Sequence, residues 1–186
     1  MNLPNKLSIL RIFLCPVFLF FVLADFIPNN LLWSAIIFAV AAITDSLDGK
    51  IARKYNLVTD FGKFIDPIAD KIVVFAALGA FVYLDPCGFG QGMVWILLVV
   101  IARELLVTSF RTIAMGKNLV IAADIFGKMK TTTQMFAVLF ILLERHFMLY
   151  PYPYIGAVLL VVSTVLTVVS GVNYIVKNRA VFKDVK

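Results

Sequence analysis

The stretch TDSLDGKIARKYNLVTDFGKFIDPIADK, residues 44–71, holds five aspartates and five basic residues in a chain that is otherwise strongly apolar. Hydrophobic residues make up 62% of the 186 residues, 15% are charged, and the mean hydropathy is +0.97. Soluble domains average about 45–50% apolar and about 25% charged residues. The composition therefore predicts an integral membrane protein, in which so much charge in one stretch needs a functional reason.

Hydropathy predicts six membrane-spanning helices, because six segments each provide about 20 mostly apolar residues, enough to cross the hydrocarbon core. The predicted spans are 7–27, 31–51, 64–84, 93–115, 125–143 and 154–176. Turn-forming sequences separate them: DFIPNN at 25–30, DPCGFGQG at 85–92, GKN at 116–118 and YPYP at 150–153. We expect NLPNK at 2–6 to be an interfacial segment, and residues 1–186 to form one all-α membrane domain.

Lysines and arginines fall almost entirely at one end of the six-span arrangement. They are Lys6, Arg11, Lys50, Arg53, Lys54, Lys63, Lys71, Arg111, Lys117, Lys128, Lys130, Lys177, Arg179, Lys183 and Lys186. The positive-inside rule predicts that this end, with both termini, is cytoplasmic in a multi-pass protein of the cell membrane. The net charge of +6 suits anionic lipid headgroups or anionic substrates. Nucleic acid is not expected as a partner, since no soluble module carries the charge.

The cysteines and the single histidine do not predict a metal site. Cys15 lies within the first predicted span and Cys87 in a turn at the opposite side, so a disulfide between them is not expected. His146 stands at a predicted helix end, where an interfacial structural role is favoured. A Cys/His metal set is therefore excluded, and any metal must be held by oxygen ligands.

Four aspartates are spaced so that they share helix faces. Asp45 and Asp48 are three residues apart near the end of the second span, and Asp66 and Asp70 are four apart near the start of the third. Residues at these intervals project from one side of a helix. If the two spans form an antiparallel hairpin, all four carboxylates converge at the cytoplasmic edge.

Carboxylates are costly in a membrane, so their convergence needs compensation. Oxygen ligands without nitrogen or sulfur favour hard cations such as Mg²⁺ or Mn²⁺, which are often shared with substrate phosphates, and one or two ions could fit. Gly49 leaves room for a substrate to approach the helix, and Arg53 can grip a phosphate bidentately. The alternative is that neighbouring cations pair with the carboxylates; these cations are Lys50, Arg53, Lys63 and Lys71.

The spacing of these residues resembles the signature of the CDP-alcohol phosphatidyltransferase family. The pattern is Asp45-x2-Asp48-Gly49-x2-Ala52-Arg53-x8-Gly62-x3-Asp66-x3-Asp70, with eight identities over 26 positions. The sequences NLPNKLSILRI, DFGKFIDPIADK, IARELLVTSFR and GKMKT are similar to one branch of the family. That branch makes phosphatidylglycerophosphate from CDP-diacylglycerol and sn-glycerol 3-phosphate.

The resemblance implies roles for individual residues. Asp45, Asp48 and Asp66 would hold metal together with Asp70, with Mg²⁺ or Mn²⁺ bound as two ions, and Asp70 would also serve as the general base. Contacts to the CDP-lipid would come from Asn5, Gly49, Ala52, Arg53, Thr59 and Gly62. Members of this family commonly form homodimers, so a homodimer in contact with membrane lipid is expected.

The acceptor is predicted from a second group of residues, which are basic. Because sn-glycerol 3-phosphate is a dianion, its pocket should offer additional cations, and Arg111, Lys128 and Lys130 lie at a suitable depth. Their alternative role is interfacial anchoring, and Glu104 shares a helix face with Arg111, so one cation could simply be paired. Related enzymes that make cardiolipin, phosphatidylserine or phosphatidylinositol phosphate would differ mainly at this pocket.

A transporter is the main alternative of a different class, since acidic residues in membrane helices also mark ion pathways. A Mg²⁺ or proton transporter would place carboxylates near the midplane, within repeated halves that contain broken helices. The aspartates here lie toward one surface and no internal repeat is evident. The sequence therefore favours the enzyme.

Overall fold

Long apolar sequences form six helices joined by short turns in the described part of the chain. The computed structural model describes residues 2–54, 59–116, 125–149 and 151–178; the side chains at 46–54, 60, 63, 115, 116, 125 and 126 are not described. The helices are α1 (Leu3–Leu23), α2 (Asn30–Lys54), α3 (Asp60–Leu84), α4 (Gln91–Gly116), α5 (Ile125–Phe147) and α6 (Tyr154–Lys177). No strand occurs in these ranges, so the all-α prediction is confirmed for them.

Four of the described helices are long and apolar enough to cross a membrane by length and composition. These stretches are Leu3–Leu23, Phe64–Leu84, Gln91–Ala114 and Tyr154–Lys177. At 1.5 Å per residue, 21 to 24 residues extend roughly 31 to 36 Å, slightly more than the hydrocarbon core. In α2 the described apolar part is Asn30–Asp45, where the described side chains end, and α5 contains the polar sequence GKMKTTTQ at 127–134. Crossing by α2 and α5 stays a prediction.

The first helix begins earlier than predicted. Residues 3–6 form the first turn of α1, so this segment belongs to the helix, and its position at the membrane interface stays a prediction. Pro4 suits this position, because the amide hydrogen it lacks has no partner in the first turn of a helix. Asn5 is buried within the bundle. The amino-terminal residues are thus part of the bundle.

The packing places α1 at the centre of the charged end. Among the described residues α1 packs extensively against both α2 and α3, and α2 and α3 contact each other less. Residues 55–58 and the side chains at 46–54 lie outside the described part of the chain, so the direct hairpin stays a prediction. α5 packs against α6 and α2, and α4 packs against α6 and α3. The core between them is apolar and includes Phe18, Phe38, Phe81, Ile141 and Leu160.

The turns predicted after α1, α3 and α5 gather at the end of the bundle opposite the aspartates. A cavity of about 240 Å³ at that end is lined by Asp25, Pro86 and Arg145, one residue from each region. A Cβ atom at Gly88 would lie 2.7 Å from the ring of Tyr152, so the last two turns touch. Residues 88–90 of the glycine-rich sequence lie in the predicted turn, and Gln91 and Gly92 begin α4.

Candidate active site

Three polar side chains lie buried along one face of the otherwise apolar α1. Asn5, Ser8 and Arg11 follow one another at intervals of three residues, so they project toward the same side. Their exposed fractions are 5%, 0% and 2%. Burying such groups is costly unless they find hydrogen-bond or ion-pair partners. Those partners come from α2 and from the beginning of α3.

Arg11 pairs with the first aspartate of the motif. Its Nη1 donates a hydrogen bond to Asp45 Oδ1 on α2 and forms an ion pair with it. The Arg11 side chain is buried, whereas the Asp45 side chain is 30% exposed. A buried guanidinium needs a counter-charge, so Asp45 stabilises Arg11 and is itself held in one orientation.

Ser8 contacts the third aspartate of the motif. Its hydroxyl donates to Asp66 Oδ1 at 2.6 Å and also lies 3.1 Å from the backbone oxygen of Pro4. A hydroxyl has one proton, and donation to a carboxylate is stronger than donation to a neutral carbonyl. The contact with Asp66 is therefore preferred, and it fixes how this carboxylate points.

The start of α3 contacts α1 through residues that were predicted to bind the CDP-lipid. Thr59 caps α3, because its Oγ1 accepts from the Gly62 backbone N–H at 3.0 Å. The Asn5 amide nitrogen lies 3.0 Å from the same oxygen. A Cβ atom at Gly62 would lie 2.9 Å from Asn5 Oδ1, so a larger residue would push the Asn5 side chain away. Asn5, Thr59 and Gly62 therefore come together at one point.

A cavity of about 100 Å³ joins the aspartates to a group of cations. Its lining includes Asp45, Asp70, Lys71, Glu104 and Lys130, which come from four different helices. Carboxylates that hold a cation and ammonium groups that bind an anion thus share one space. This combination suits a ligand that carries phosphate and a metal ion.

Asp70 has an unsatisfied atom in this region. Its Oδ1 is buried and has no hydrogen-bond partner in the described part of the structure. Asp70 also lines a second, smaller cavity together with Arg11 and Asp45. Buried carboxylate oxygens are rarely left unpaired, so this atom is placed to receive a proton or a cation.

The donor chemistry fits a hard cation. Among the described side chains no three Asp, Glu, His or Cys groups lie together as a metal-binding cluster. Asp45 and Asp70 share both cavities, while Asp66 is engaged by Ser8. Oxygen donors and the unpaired Asp70 oxygen suit Mg²⁺ or Mn²⁺. The metal set of four aspartates stays a prediction, with two of its members placed side by side.

Several predicted residues lie where their side chains are not described. Asp48, Gly49, Ala52 and Arg53 belong to the last turns of α2, but their side chains lie outside the described residues. Their metal and CDP-lipid roles therefore stay predictions. The backbone of α2 continues to Lys54, so all four remain on the same helix as Asp45.

Glu104 on α4 is the centre of a cluster of cations beside the cavity. Lys130 forms an ion pair with its Oε1, and Arg103 Nη1 lies 3.0 Å from the same oxygen. Lys71 Nζ lies 3.7 Å from Oε2 and donates to Thr108 Oγ1 at 2.7 Å. The carboxylate therefore gathers cations from α3, α4 and α5.

The three predicted acceptor residues are not brought together. Lys130 is buried and lines the cavity. Arg111 turns instead toward Tyr174, with its Nε 3.4 Å from the phenol oxygen and its guanidinium 5.6 Å from the ring centre. Lys128 is exposed on α5. Among the described contacts Glu104 pairs with cations other than Arg111, so the suggested pairing of those two residues is not seen.

Sequence reasoning assigned no part in the site to four residues of this region: Ser8, Arg11, Lys71 and Glu104. A signal for the first two was present, since three polar residues at three-residue spacing in an apolar span mark a buried polar face. Glu104 was considered only as a partner of Arg111, and Lys71 only as a counter-charge of the aspartates, although an acidic residue in a membrane helix is itself a signal of function. Lys71 and Glu104 meet only in three dimensions, so sequence spacing could not have joined them.

The fold and site define a class of protein: a helical membrane protein whose cavity, lined by aspartate and lysine, suits metal and phosphate ligands. The family model for CDP-alcohol phosphatidyltransferase matches residues 1–169 of the chain. The chain belongs to the CDP-alcohol phosphatidyltransferase family. The resemblance drawn from the aspartate motif is thereby confirmed.

Curated relatives match the chain over nearly its whole length. A Bacillus subtilis protein is 42% identical, with 98% of this chain and 97% of the relative covered. Proteins of Rickettsia felis and Shigella flexneri serotype 5b are 36% and 35% identical, with 93% and 98% of both chains covered. All three are named CDP-diacylglycerol--glycerol-3-phosphate 3-phosphatidyltransferase.

Proposed function

We propose that this protein transfers the phosphatidyl group from CDP-diacylglycerol to sn-glycerol 3-phosphate, giving phosphatidylglycerophosphate and CMP in phospholipid biosynthesis. The observation that carries the proposal is the cavity in which Asp45 and Asp70 lie beside Lys71 and Lys130. Family membership supports the reaction type, and the names of the relatives support the choice of acceptor.

The proposed enzyme depends on Mg²⁺ or Mn²⁺, bound as two ions by Asp45, Asp48, Asp66 and Asp70. When bound, such ions neutralise the diphosphate of the CDP-lipid and stabilise CMP as the leaving group. The buried, unpaired Oδ1 of Asp70 supports this assignment. Ser8 and Arg11 hold Asp66 and Asp45 in place for this role.

The chain's own groups arrange the transfer step. The acceptor hydroxyl gives its proton to Asp70, and its oxygen forms a bond to the phosphorus that carries diacylglycerol. The bond from that phosphorus to CMP breaks, and its electron pair leaves with CMP. Lys130, beside Asp70 in the cavity, binds the phosphate of the acceptor. Asn5, Thr59 and Gly62 lie near Asp66, where contacts to the CDP-lipid are proposed.

We place the enzyme in the cell membrane as a multi-pass homodimer with its active site at the cytoplasmic face. Basic residues of the site end support this orientation, because positive charge is retained on the cytoplasmic side. A site at the edge of the bilayer lets the acyl chains stay in lipid while a water-soluble acceptor enters from the cytosol.

The reaction is tested by CMP release from purified protein in detergent with CDP-diacylglycerol and Mg²⁺. Glycerol 3-phosphate, serine, inositol, inositol phosphate and phosphatidylglycerol are offered separately. We expect release with glycerol 3-phosphate alone, abolished by EDTA. Release with another acceptor instead would overturn the substrate, and no release with any acceptor would overturn the enzyme class.

Asp70→Asn tests the proposed base. The amide cannot accept the proton, so we expect turnover to fall at least about 100-fold, the usual contribution of general acid–base catalysis. Asp25→Asn, at the opposite end of the bundle, is the matched control and should keep wild-type turnover. Size-exclusion profiles establish that both variants fold. Wild-type turnover by folded Asp70→Asn would remove Asp70 as the base.

A further inference from the structure

We propose that Glu104 is a positioning residue that holds the ammonium groups of Lys71 and Lys130 at the cavity, where they bind the acceptor phosphate. The inference rests on the proposed function, because it assigns a pocket to the phosphate of that acceptor. It adds Lys71 and Glu104 to a pocket for which Arg111, Lys128 and Lys130 were the sequence candidates.

The contacts of Glu104 divide between its two oxygens. Oε1 receives Lys130 and Arg103, and Oε2 faces Lys71 at 3.7 Å. Lys71 is held from a second side by Thr108, one turn further along α4, at 2.7 Å. An ammonium group has three hydrogens, so each lysine keeps a donor beyond its contacts to the described residues. Both lysines and Glu104 line the cavity that contains Asp70.

Arg103 fixes Glu104 from the side of α6. Its Nη2 donates to Ser170 Oγ at 2.9 Å while its Nη1 contacts the carboxylate. A Cβ atom at Gly171 would lie 3.0 Å from Arg103 Cγ, so the glycine leaves room for the arginine side chain. Arg103 thus ties the carboxylate to a neighbouring helix, and the two lysines remain on the cavity side.

The cluster presents two ammonium groups to the cavity. Three cations surround one carboxylate, and two of them, Lys71 and Lys130, lie on the cavity side, which Asp45 and Asp70 also line. A phosphate monoester carries about −1.5 to −2 at pH 7. Without Glu104 the lysines would repel each other and lose a common orientation, although the positive charge would rise. Glu104 therefore fixes the positions of the two ammonium groups, although it lowers the net positive charge. Two ammonium groups in fixed positions favour a phosphorylated acceptor over a neutral one.

Steady-state kinetics of Glu104→Gln and Lys71→Met test the proposal, with both substrates varied. We expect the KM for glycerol 3-phosphate to rise about tenfold or more, while the KM for CDP-diacylglycerol stays within about twofold. Inhibition by inorganic phosphate, competitive with the acceptor, should weaken in parallel with that KM. Matched controls are Glu144→Gln, a buried glutamate at the opposite end, and Lys177→Met, an exposed lysine at the end of α6.

The outcomes separate the inference from the proposed function. If wild type turns over glycerol 3-phosphate but the folded variants keep its KM, the positioning role is overturned and the reaction stands. Equal rises in both KM values, or a loss confined to kcat, also overturn it. If Glu104→Gln does not fold, Lys71→Met decides, because it leaves the contact between Glu104 and Lys130 in place. Wild type that does not use glycerol 3-phosphate overturns both.

Discussion

Two side chains of the first helix control the orientation of two motif aspartates. Ser8 donates to Asp66 and Arg11 pairs with Asp45, so α1 supplies the groups that lie behind the proposed metal ligands. Partners of this kind orient ligands and tune metal affinity, and their loss commonly costs 10- to 100-fold in affinity or activity. α1 contains none of the motif residues between Asp45 and Asp70, yet it holds two of the aspartates in position.

Ser8→Ala tests this role. Removing the hydroxyl leaves Asp66 without its donor, so we expect the Mg²⁺ concentration for half-maximal CMP release to rise about tenfold. Ser34→Ala is the matched control, because Ser34 is equally buried but donates to Asn30 O of its own helix. The measurement is a Mg²⁺ titration of activity for both variants. An unchanged Mg²⁺ requirement in folded Ser8→Ala would show that the hydroxyl has a packing role only.

Sequence alone predicted the acidic residues of the site better than its basic residues. Asp45 and Asp70 could be placed together because their spacing on helices is regular and charge in a membrane is costly. The basic partners could not be chosen, since Arg111, Lys128 and Lys130 have similar depth in sequence. In the structure Arg111 contacts Tyr174, whereas Lys130 pairs with Glu104 at the cavity. Both contacts depend on how α4, α5 and α6 pack.

At the end of the bundle opposite the aspartates, two residues fix how α6 packs against α5. Glu144 on α5 accepts from the backbone N–H groups of Ile155 and Gly156 at 3.3 and 3.0 Å, so it caps the start of α6. Gly156 itself lies against the Ile141 backbone. The glutamate and the glycine together set the position of α6 on α5.

Gly156→Ala should destabilise this contact. An added Cβ atom would lie 2.6 Å from the Ile141 backbone nitrogen, and backbone cannot move aside as a flexible side chain would. We expect a loss of about 1–3 kcal/mol, the usual cost of overpacking, and a Tm lower by several degrees. Gly79→Ala is the control, because a Cβ atom there meets nothing within 4 Å. Thermal unfolding in detergent that ranks Gly156→Ala at or above Gly79→Ala would contradict the close packing.

The helices themselves were largely predictable, whereas their arrangement was not. Predicted spans such as 64–84 and 154–176 agree closely with α3 and α6, because apolar length sets them. The start of α1 was misplaced, since Asn5 and Lys6 look like surface residues until the partner of Asn5 is known. The position of α1 between α2 and α3 depends on contacts far apart in sequence.

The two ends of the helix bundle carry different groups of residues. One end carries the aspartates, Arg11 and the Glu104 cluster around the cavity. The other gathers the turns after α1, α3 and α5, where Glu144 caps α6 and Asp85 accepts from the Phe89 and Gly90 N–H groups at 2.8 and 2.9 Å. If the first end is cytoplasmic, these turns face outward and every helix crosses the membrane.

Cysteine labelling of intact cells tests this six-crossing topology. Phe26→Cys and Met148→Cys replace residues that are 81% and 85% exposed in the turns after α1 and α5. Both should react with a membrane-impermeant maleimide from outside, whereas Lys177→Cys should react only after permeabilisation. The parent protein supplies a low background, because Cys15 and Cys87 are 6% and 7% exposed. Burial, with Asp85 and Glu144 nearby, also raises the pKa of Cys87 to about 12, so its thiol stays protonated at neutral pH.

The labelling of Met148→Cys decides the crossing of α5, whose first half is polar. If α5 did not cross, Met148→Cys would be protected in intact cells while Phe26→Cys still reacted. The contact between Gly88 and Tyr152 argues against that result, because it holds the turns after α3 and α5 on the same side. We therefore expect Met148→Cys to label as Phe26→Cys does, which would place Lys130 and the cavity in the cytoplasmic half.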